Sequence, residues 1–197
     1  MSDPEVDASK RGFLMLATGV VGGVAAVATA VPFAGSMLPS ERAKAAGAPT
    51  EVDISKLAPG EMKIVEWRGK PVFVINRTKE MLEGIVKNDG RVSDPKSEVP
   101  MQPEFARNEF RSIKPEIMVM EGVCTHLGCS PQLKSDEAKM DMGQDWTGGF
   151  FCPCHGSKFD LAGRVFEGSP APVNLRVPPY KFAGDTKIII GDDSKGA

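Results

Sequence analysis

All four cysteines and both histidines of this chain fall in two short segments, CTHLGCSP at Cys124–Pro131 and CPCHGSKFD at Cys152–Asp160. Thiolate and imidazole are ligands for zinc, copper and iron. Each segment can aim one of each at a common centre: Cys124 with His126 in C-x-H, and Cys152 with His155 in C-x-x-H. Three kinds of chemistry accept that set. Zinc takes two thiolates and two imidazoles in a tetrahedral site, and on ligand types alone it is favoured. Two disulfides would use the cysteines and leave the histidines incidental. A two-iron, two-sulfur cluster would put the thiolates on one iron and the imidazoles on the other. The leftover pair, Cys129 and Cys154, is surplus to a four-ligand zinc site. These two can instead bond to each other and tie the loops, a bond that an exported compartment permits and a reducing cytosol rarely does.

The elements that must position these segments read as short strands between turns. KIVEW (Lys63–Trp67) and PVFVINR (Pro71–Arg77), joined across Arg68–Lys70, predict a hairpin. Further strands are expected at Glu116–Val123, Gly148–Cys152, Gly163–Phe166, Asn174–Ala183 and Thr186–Ile190. Met81, Leu82, Ile85 and Val86 recur at helical spacing in Thr78–Asp89, with Thr78 as the cap, which predicts one short helix on a sheet. The fold class is therefore mainly β and antiparallel, consistent with 21 Gly, 16 Pro and only 7% aromatic residues. A net charge of -2 and a pI near 5.8 leave no electrostatic footprint for nucleic acid.

Ahead of this domain, Gly12–Leu38 contains no charged residue. As a helix at about 1.5 Å per residue it would reach roughly 40 Å, enough to cross a hydrocarbon core of about 30 Å with tilt. It is longer than the h-region of a cleaved signal peptide, so residues 12–38 are expected to stay as a single-pass anchor. SKRGFL (Ser9–Leu14) is similar to a twin-arginine export signal with Lys10 in place of the first arginine. Charge alone leaves the orientation open, because Lys10 and Arg11 face Arg42 and Lys44 across the span. Residues 39–50 read as a polar tether, either coil or a helical extension of the anchor.

CTHLGC and CPCHGS together resemble the paired motifs of Rieske iron-sulfur proteins. With the extra cysteine pair, the anchor, the tether and GSPAP at Gly168–Pro172, they resemble the Rieske subunit of the cytochrome bc complex, the ubiquinol-cytochrome c reductase of bacteria. The resemblance implies stacked antiparallel sheets over residues 51–197, with a cluster-binding subdomain at about 121–173. It implies one 2Fe-2S cluster, with Cys124 and Cys152 on the inner iron and His126 and His155 on the outer. It also implies a disulfide between Cys129 and Cys154. His155 would contact quinol and accept its proton, with His126 beside it. Ser157 would donate to a bridging sulfide, Leu127 would pack at the docking tip, and Gly168, Pro170 and Pro172 would cover the cluster. Lys134 reads as an ordinary solvated charge. Many high-potential members carry Tyr where this chain has Phe159, so the lost phenol implies a lower potential and leaves Phe159 as a core aromatic.

The implied partners are a cytochrome b subunit, a c-type cytochrome subunit, quinol with ubiquinol favoured over menaquinol, the membrane, and a second copy in a dimeric complex. The implied location is the bacterial inner membrane, with residues 1–11 cytoplasmic and the Rieske domain periplasmic. The alternatives are the Rieske subunit of an exported molybdenum enzyme such as arsenite oxidase, a Rieske ferredoxin, which in that family lacks both anchor and extra cysteines, and a structural zinc module.

Overall fold

The computed structural model describes residues 7–192. Residues 1–6 of the expected cytoplasmic segment and residues 193–197 of the domain lie outside the described residues. The chain divides into two compact units that meet at Ala45 and Ala46.

The first unit is dominated by α1 (Ala8–Ser36), 29 residues with none buried. It starts four residues before the uncharged stretch because Asp7 caps it, its carboxylate accepting from the backbone N–H of Ser9 at 3.0 Å and of Lys10 at 3.2 Å. An 18-residue window of the helix reaches a mean hydropathy of 2.0. At about 1.5 Å per residue it extends roughly 44 Å, long and apolar enough to cross a membrane. A six-residue helix, α2 (Glu41–Ala46), follows, so part of the tether is helical. Ser40 supports it by accepting from the Ala43 N–H at 3.2 Å.

From Ala46 onward three antiparallel three-stranded sheets form the second unit. In the first, β1 (Thr50–Asp53) pairs with β9 (Lys187–Ile190), which pairs with β8 (Tyr180–Phe182). The second is the order β2 (Met62–Trp67), β3 (Lys70–Asn76), β4 (Ile117–Glu121). The β2–β3 hairpin turns on Arg68 and Gly69, both at positive φ (53° and 71°), as a two-residue turn of the primed type requires. The third sheet, β5 (Gln132–Lys134), β6 (Gly149–Phe151), β7 (Lys158–Phe159), carries the two ligand loops. Between β3 and β4, Thr78 caps α3 (Lys79–Lys87) by accepting from the Met81 N–H at 3.3 Å. A single turn, α4 (Lys139–Met142), sits between β5 and β6.

Two expected strands are shorter or absent. Gly163–Phe166 makes only isolated bridges, Phe159 with Val165 and Val92 with Phe166. Of Asn174–Ala183 only Tyr180–Phe182 pairs, because Pro178 and Pro179 have no N–H to donate to a ladder.

The second and third sheets join through Phe73 on β3 and Phe150 on β6, whose rings stack at 5.6 Å and are essentially fully buried. Burying each such side chain contributes roughly 1.5–3 kcal/mol. Gly122 makes room for this contact, since a Cβ there would come within 2.3 Å of the Phe73 ring.

Three buried arginines anchor the stretch just after the second ligand loop. Arg77 donates to the Leu161 carbonyl at 3.1 Å, Arg111 to the Ala162 and Leu175 carbonyls at 3.0 and 2.7 Å, and Arg164 to Asp160 at 2.8 Å and Asp89 at 2.6 Å. Burial pulls the Arg77 and Arg111 guanidiniums down to about 10, the opposing pull of Asp160 being smaller. Burial also acts against Arg164, but Asp160 and Asp89 together hold it above its ordinary value. All three stay charged at neutral pH and satisfy carbonyls that no strand reaches.

Candidate metal centre

The two ligand boxes fold into the same six-residue loop. In the first, the Cys124 N–H donates to the Cys129 carbonyl at 2.7 Å and the Gly128 N–H to the Cys124 carbonyl at 2.9 Å. In the second, the Cys152 N–H donates to the Ser157 carbonyl at 2.8 Å and the Gly156 N–H to the Cys152 carbonyl at 2.9 Å. Gly128 and Gly156 sit at φ 86° and 79°. An L side chain rarely adopts that region, so glycine at the fifth position lets each loop close.

The loops present their side chains to one place. Cys124 and Cys152 are free thiols, each 2% exposed. Burial pushes the Cys124 thiol up, and neighbouring Cys152 adds to the rise, while hydrogen bonds from the His126 backbone and the Ser157 hydroxyl oppose it. The His126 and His155 rings meet edge to face, with centroids 4.7 Å apart and planes at 89°, near enough to reach one metal atom. His126 is half-buried and its Nδ1 is buried with no hydrogen-bond partner; His155 is exposed. Cys129 and Cys154 form a disulfide with Cα atoms 6.6 Å apart. The sulfurs of Cys129, Cys152 and Cys154 crowd within 4.8 Å of one another, but two of them are bonded to each other and so are not thiolate ligands.

The proline loop is fastened over both boxes. The Ala171 N–H donates to Ser157 Oγ at 3.0 Å, the Lys158 N–H to Ser169 Oγ at 3.2 Å, and Thr125 Oγ1 to the Val173 carbonyl at 2.6 Å. Gly168, Pro170 and Pro172 are exposed along its outer side. Leu127 is 71% exposed beside His126. Phe159 is fully buried on β7 opposite Phe150, which makes its ring part of the core. Lys134, expected to be an ordinary solvated charge, is half-buried in β5. Sequence reasoning passed over Thr125, Ala171 and the arginine group. The signal for Arg164 was the pair of opposite charges in the otherwise apolar run FDLAGRVF, at Asp160 and Arg164.

Neither the cavity of about 680 Å³ beside Trp67 and Arg176 nor the one of about 410 Å³ between α3 and Thr147 is lined by any of the four ligand candidates. At the candidate centre the His155 and Leu127 side chains are exposed, while both free thiols are buried.

Three antiparallel sheets with paired Cys/His loops and a bridging disulfide are the marks of the Rieske class. The Rieske [2Fe-2S] domain model matches residues 50–180, and the model described as "Ubiquitinol-cytochrome C reductase Fe-S subunit TAT signal" matches residues 1–40. The "Ubiquinol-cytochrome c reductase iron-sulfur subunit" of Allochromatium vinosum is 54% identical over 197 residues, covering 100% of this chain and 95% of that one. The protein of the same description from Blastochloris viridis is 44% identical over 191 residues, 96% of this chain and 97% of that one. A solved structure described as "Hyperthermophilic respiratory Complex III" is 30% identical, covers 89% of this chain and 98% of that chain, and aligns with a TM-score of 0.48. The chain belongs to the Rieske family of ubiquinol-cytochrome c reductase iron-sulfur subunits. Its cofactor is a [2Fe-2S] cluster, its role is electron transfer within a membrane-anchored complex, and α1 is the apolar N-terminal helix of such a subunit. The residues present fit the group: two buried free thiols, two adjacent imidazoles, and one imidazole nitrogen buried without a partner.

Proposed function

We propose that Cys124 and Cys152 hold the inner iron and His126 and His155 the outer iron, in a head that oxidises quinol beside cytochrome b and hands the electron to a c-type cytochrome. The observation that carries this reading is the layering of the site: two buried thiols together with an edge-to-face pair of rings, one half-buried and one exposed. When bound, the cluster supplies a one-electron acceptor at a potential that histidine ligation raises into the range of about -150 to +300 mV.

The chain's own residues supply the rest. His155, exposed at the tip, receives the quinol hydroxyl and accepts its proton, while His126 fixes the second coordination position from a half-buried setting. Leu127 offers an apolar contact beside them, to seal the tip against a cytochrome b surface that completes the quinol pocket. The proline loop, tied to Ser157 and Thr125, keeps water from the other side. The disulfide favours the oxidising, periplasmic side of the bacterial inner membrane for the head, with the N-terminus cytoplasmic. Residues 39–50 form the tether on which the head travels between cytochrome b and the c-type haem, and 121–173 is the cluster-binding subdomain. The names of the relatives favour ubiquinol as the substrate and a quinol-cytochrome c oxidoreductase as the enzyme; a dimeric respiratory or photosynthetic complex is part of the proposal.

The test is to isolate the full chain with its partners from membranes and add ubiquinol anaerobically. Wild type should reduce the c-type haem, and Cys152→Ser should abolish that reduction while b-type haem still co-purifies. Undiminished c-haem reduction in Cys152→Ser, or isolation without any b-type haem, would contradict the reading.

A further inference from the structure

The sulfur of Cys152 lies within 4.8 Å of both sulfurs of the Cys129–Cys154 disulfide. A free thiol beside a disulfide is the reactant pair of thiol–disulfide exchange, which needs a nucleophilic sulfur, an accessible bond and a leaving thiolate. The arrangement follows from the paired loops: Cys154 is two residues from Cys152 in one loop, and Cys129 closes the other.

Resting on the reading that Cys152 is a cluster ligand, we infer that a head without its cluster rearranges by exchange, Cys152 displacing Cys154 from Cys129 and so destroying the ligand set. Cys152 gives its proton to solvent and its thiolate attacks Cys129 Sγ. The Cys129–Cys152 bond forms as the Cys129–Cys154 bond breaks, and Cys154 leaves as a thiolate that takes a proton from water. No electron is gained or lost, and no oxidant is required. Cys154 is the better leaving group because it is exposed, so its thiolate is solvated, whereas Cys129 is half-buried. Attack on Cys154 instead would close a tight ring around Pro153, which the span a disulfide needs disfavours. The new bridge closes a loop only two residues shorter than the old one, so chain entropy scarcely opposes the change. Iron bound to Cys152 removes the free thiolate and blocks the reaction. Where Cys152 is present the original disulfide is therefore protected only in loaded heads, and a wild-type head that loses its cluster on the oxidising side cannot be refilled without a reductant.

Two cluster-free variants of the full chain, purified anaerobically in detergent, separate this from general unfolding. Cys124→Ser loses one ligand but keeps the attacking thiol; Cys152→Ser loses the thiol itself. Each is denatured at mildly acid pH with N-ethylmaleimide, and the bridges are mapped by peptide mass spectrometry. Cys124→Ser should carry the label on Cys154 with a Cys129–Cys152 bridge, and Cys152→Ser should carry it on Cys124 with the Cys129–Cys154 bridge intact. A Cys124→Ser protein labelled on Cys152 with the original bridge, or a Cys152→Ser protein that scrambles as well, overturns the inference. The optical spectrum of the wild type reports the ligand reading separately.

Discussion

The two ligand loops share one backbone and differ at four equivalent positions, the second being Thr125 in one and Pro153 in the other. At the third position the first loop has His126 and the second has Cys154; at the fourth they have Leu127 and His155; at the sixth, Cys129 and Ser157. Moving the histidine by one residue moves its ring from half-buried to exposed, while the vacated places hold a bridging cysteine in one loop and an apolar tip in the other. The sixth position decides how each loop is held. Cys129 ties the first loop covalently to the second, whereas the Ser157 hydroxyl accepts from the proline loop. One backbone thus yields a half-buried imidazole and an exposed one.

The largest expected effect comes from the foot of the second loop, which has no counterpart in the first. Asp160 is fully buried, accepts the Ala162 and Arg164 N–H groups at 2.9 Å each, and pairs with the Arg164 guanidinium. Asp160→Asn leaves that guanidinium short of its buried partner and should cost about 3–5 kcal/mol. Thermal loss of the cluster's visible absorption, followed on the full chain, should come at a markedly lower temperature. An unchanged midpoint would show that the second loop does not depend on the arginine group.

Next in size is Cys129→Ser, which unties the first loop while sparing all four ligand candidates. The bridged residues are 25 apart in sequence, and a loop of that order contributes roughly 3 kcal/mol by chain entropy. The cluster should bleach earlier on heating than in wild type, and a cluster equally heat-stable after the change would show that the backbone turns alone suffice. Gly128→Ala and Gly156→Ala sharpen the comparison. No neighbouring atom lies within 4 Å of the added Cβ at either site, so the cost is only that of the left-handed backbone, about 1–2 kcal/mol in each loop. Denaturant midpoints that fall equally support equivalent loops; a drop confined to one of them breaks the equivalence.

The smallest effect falls on the potential. Ser157→Ala removes the hydroxyl that acts to lower the Cys124 thiol pKa, a donor beside the cluster that favours its more negative, reduced state. A redox-differential part of about 1 kcal/mol corresponds to roughly 40 mV for one electron, so an EPR-monitored titration should place the variant lower by some tens of millivolts. No change would assign Ser157 only to holding the proline loop.

The site was legible in sequence because its chemistry is local: each box carries its own cysteine, histidine and turn glycine within six residues. The β2–β3 hairpin and α3 were legible for the same reason, through Arg68–Gly69 and the Thr78 cap. What could not be read arises from contacts between distant segments. β5 and β7 are three and two residues long and exist only by pairing with β6. The Asn174–Ala183 strand was overextended because its apolar pattern continues through two prolines that cannot join a ladder. Arg77, Arg111 and Arg164 reach partners up to 84 residues away, and nothing local marks a charged residue as buried.

The central claim is that both histidines, one from each loop, bind the same cluster. Electron spin-echo envelope modulation of the reduced full-length protein counts the nitrogens coupled to that cluster directly. Two strongly coupled nitrogens in wild type, with one lost in His155→Cys, is the expected result. A wild-type spectrum with one strongly coupled nitrogen or none would contradict the account.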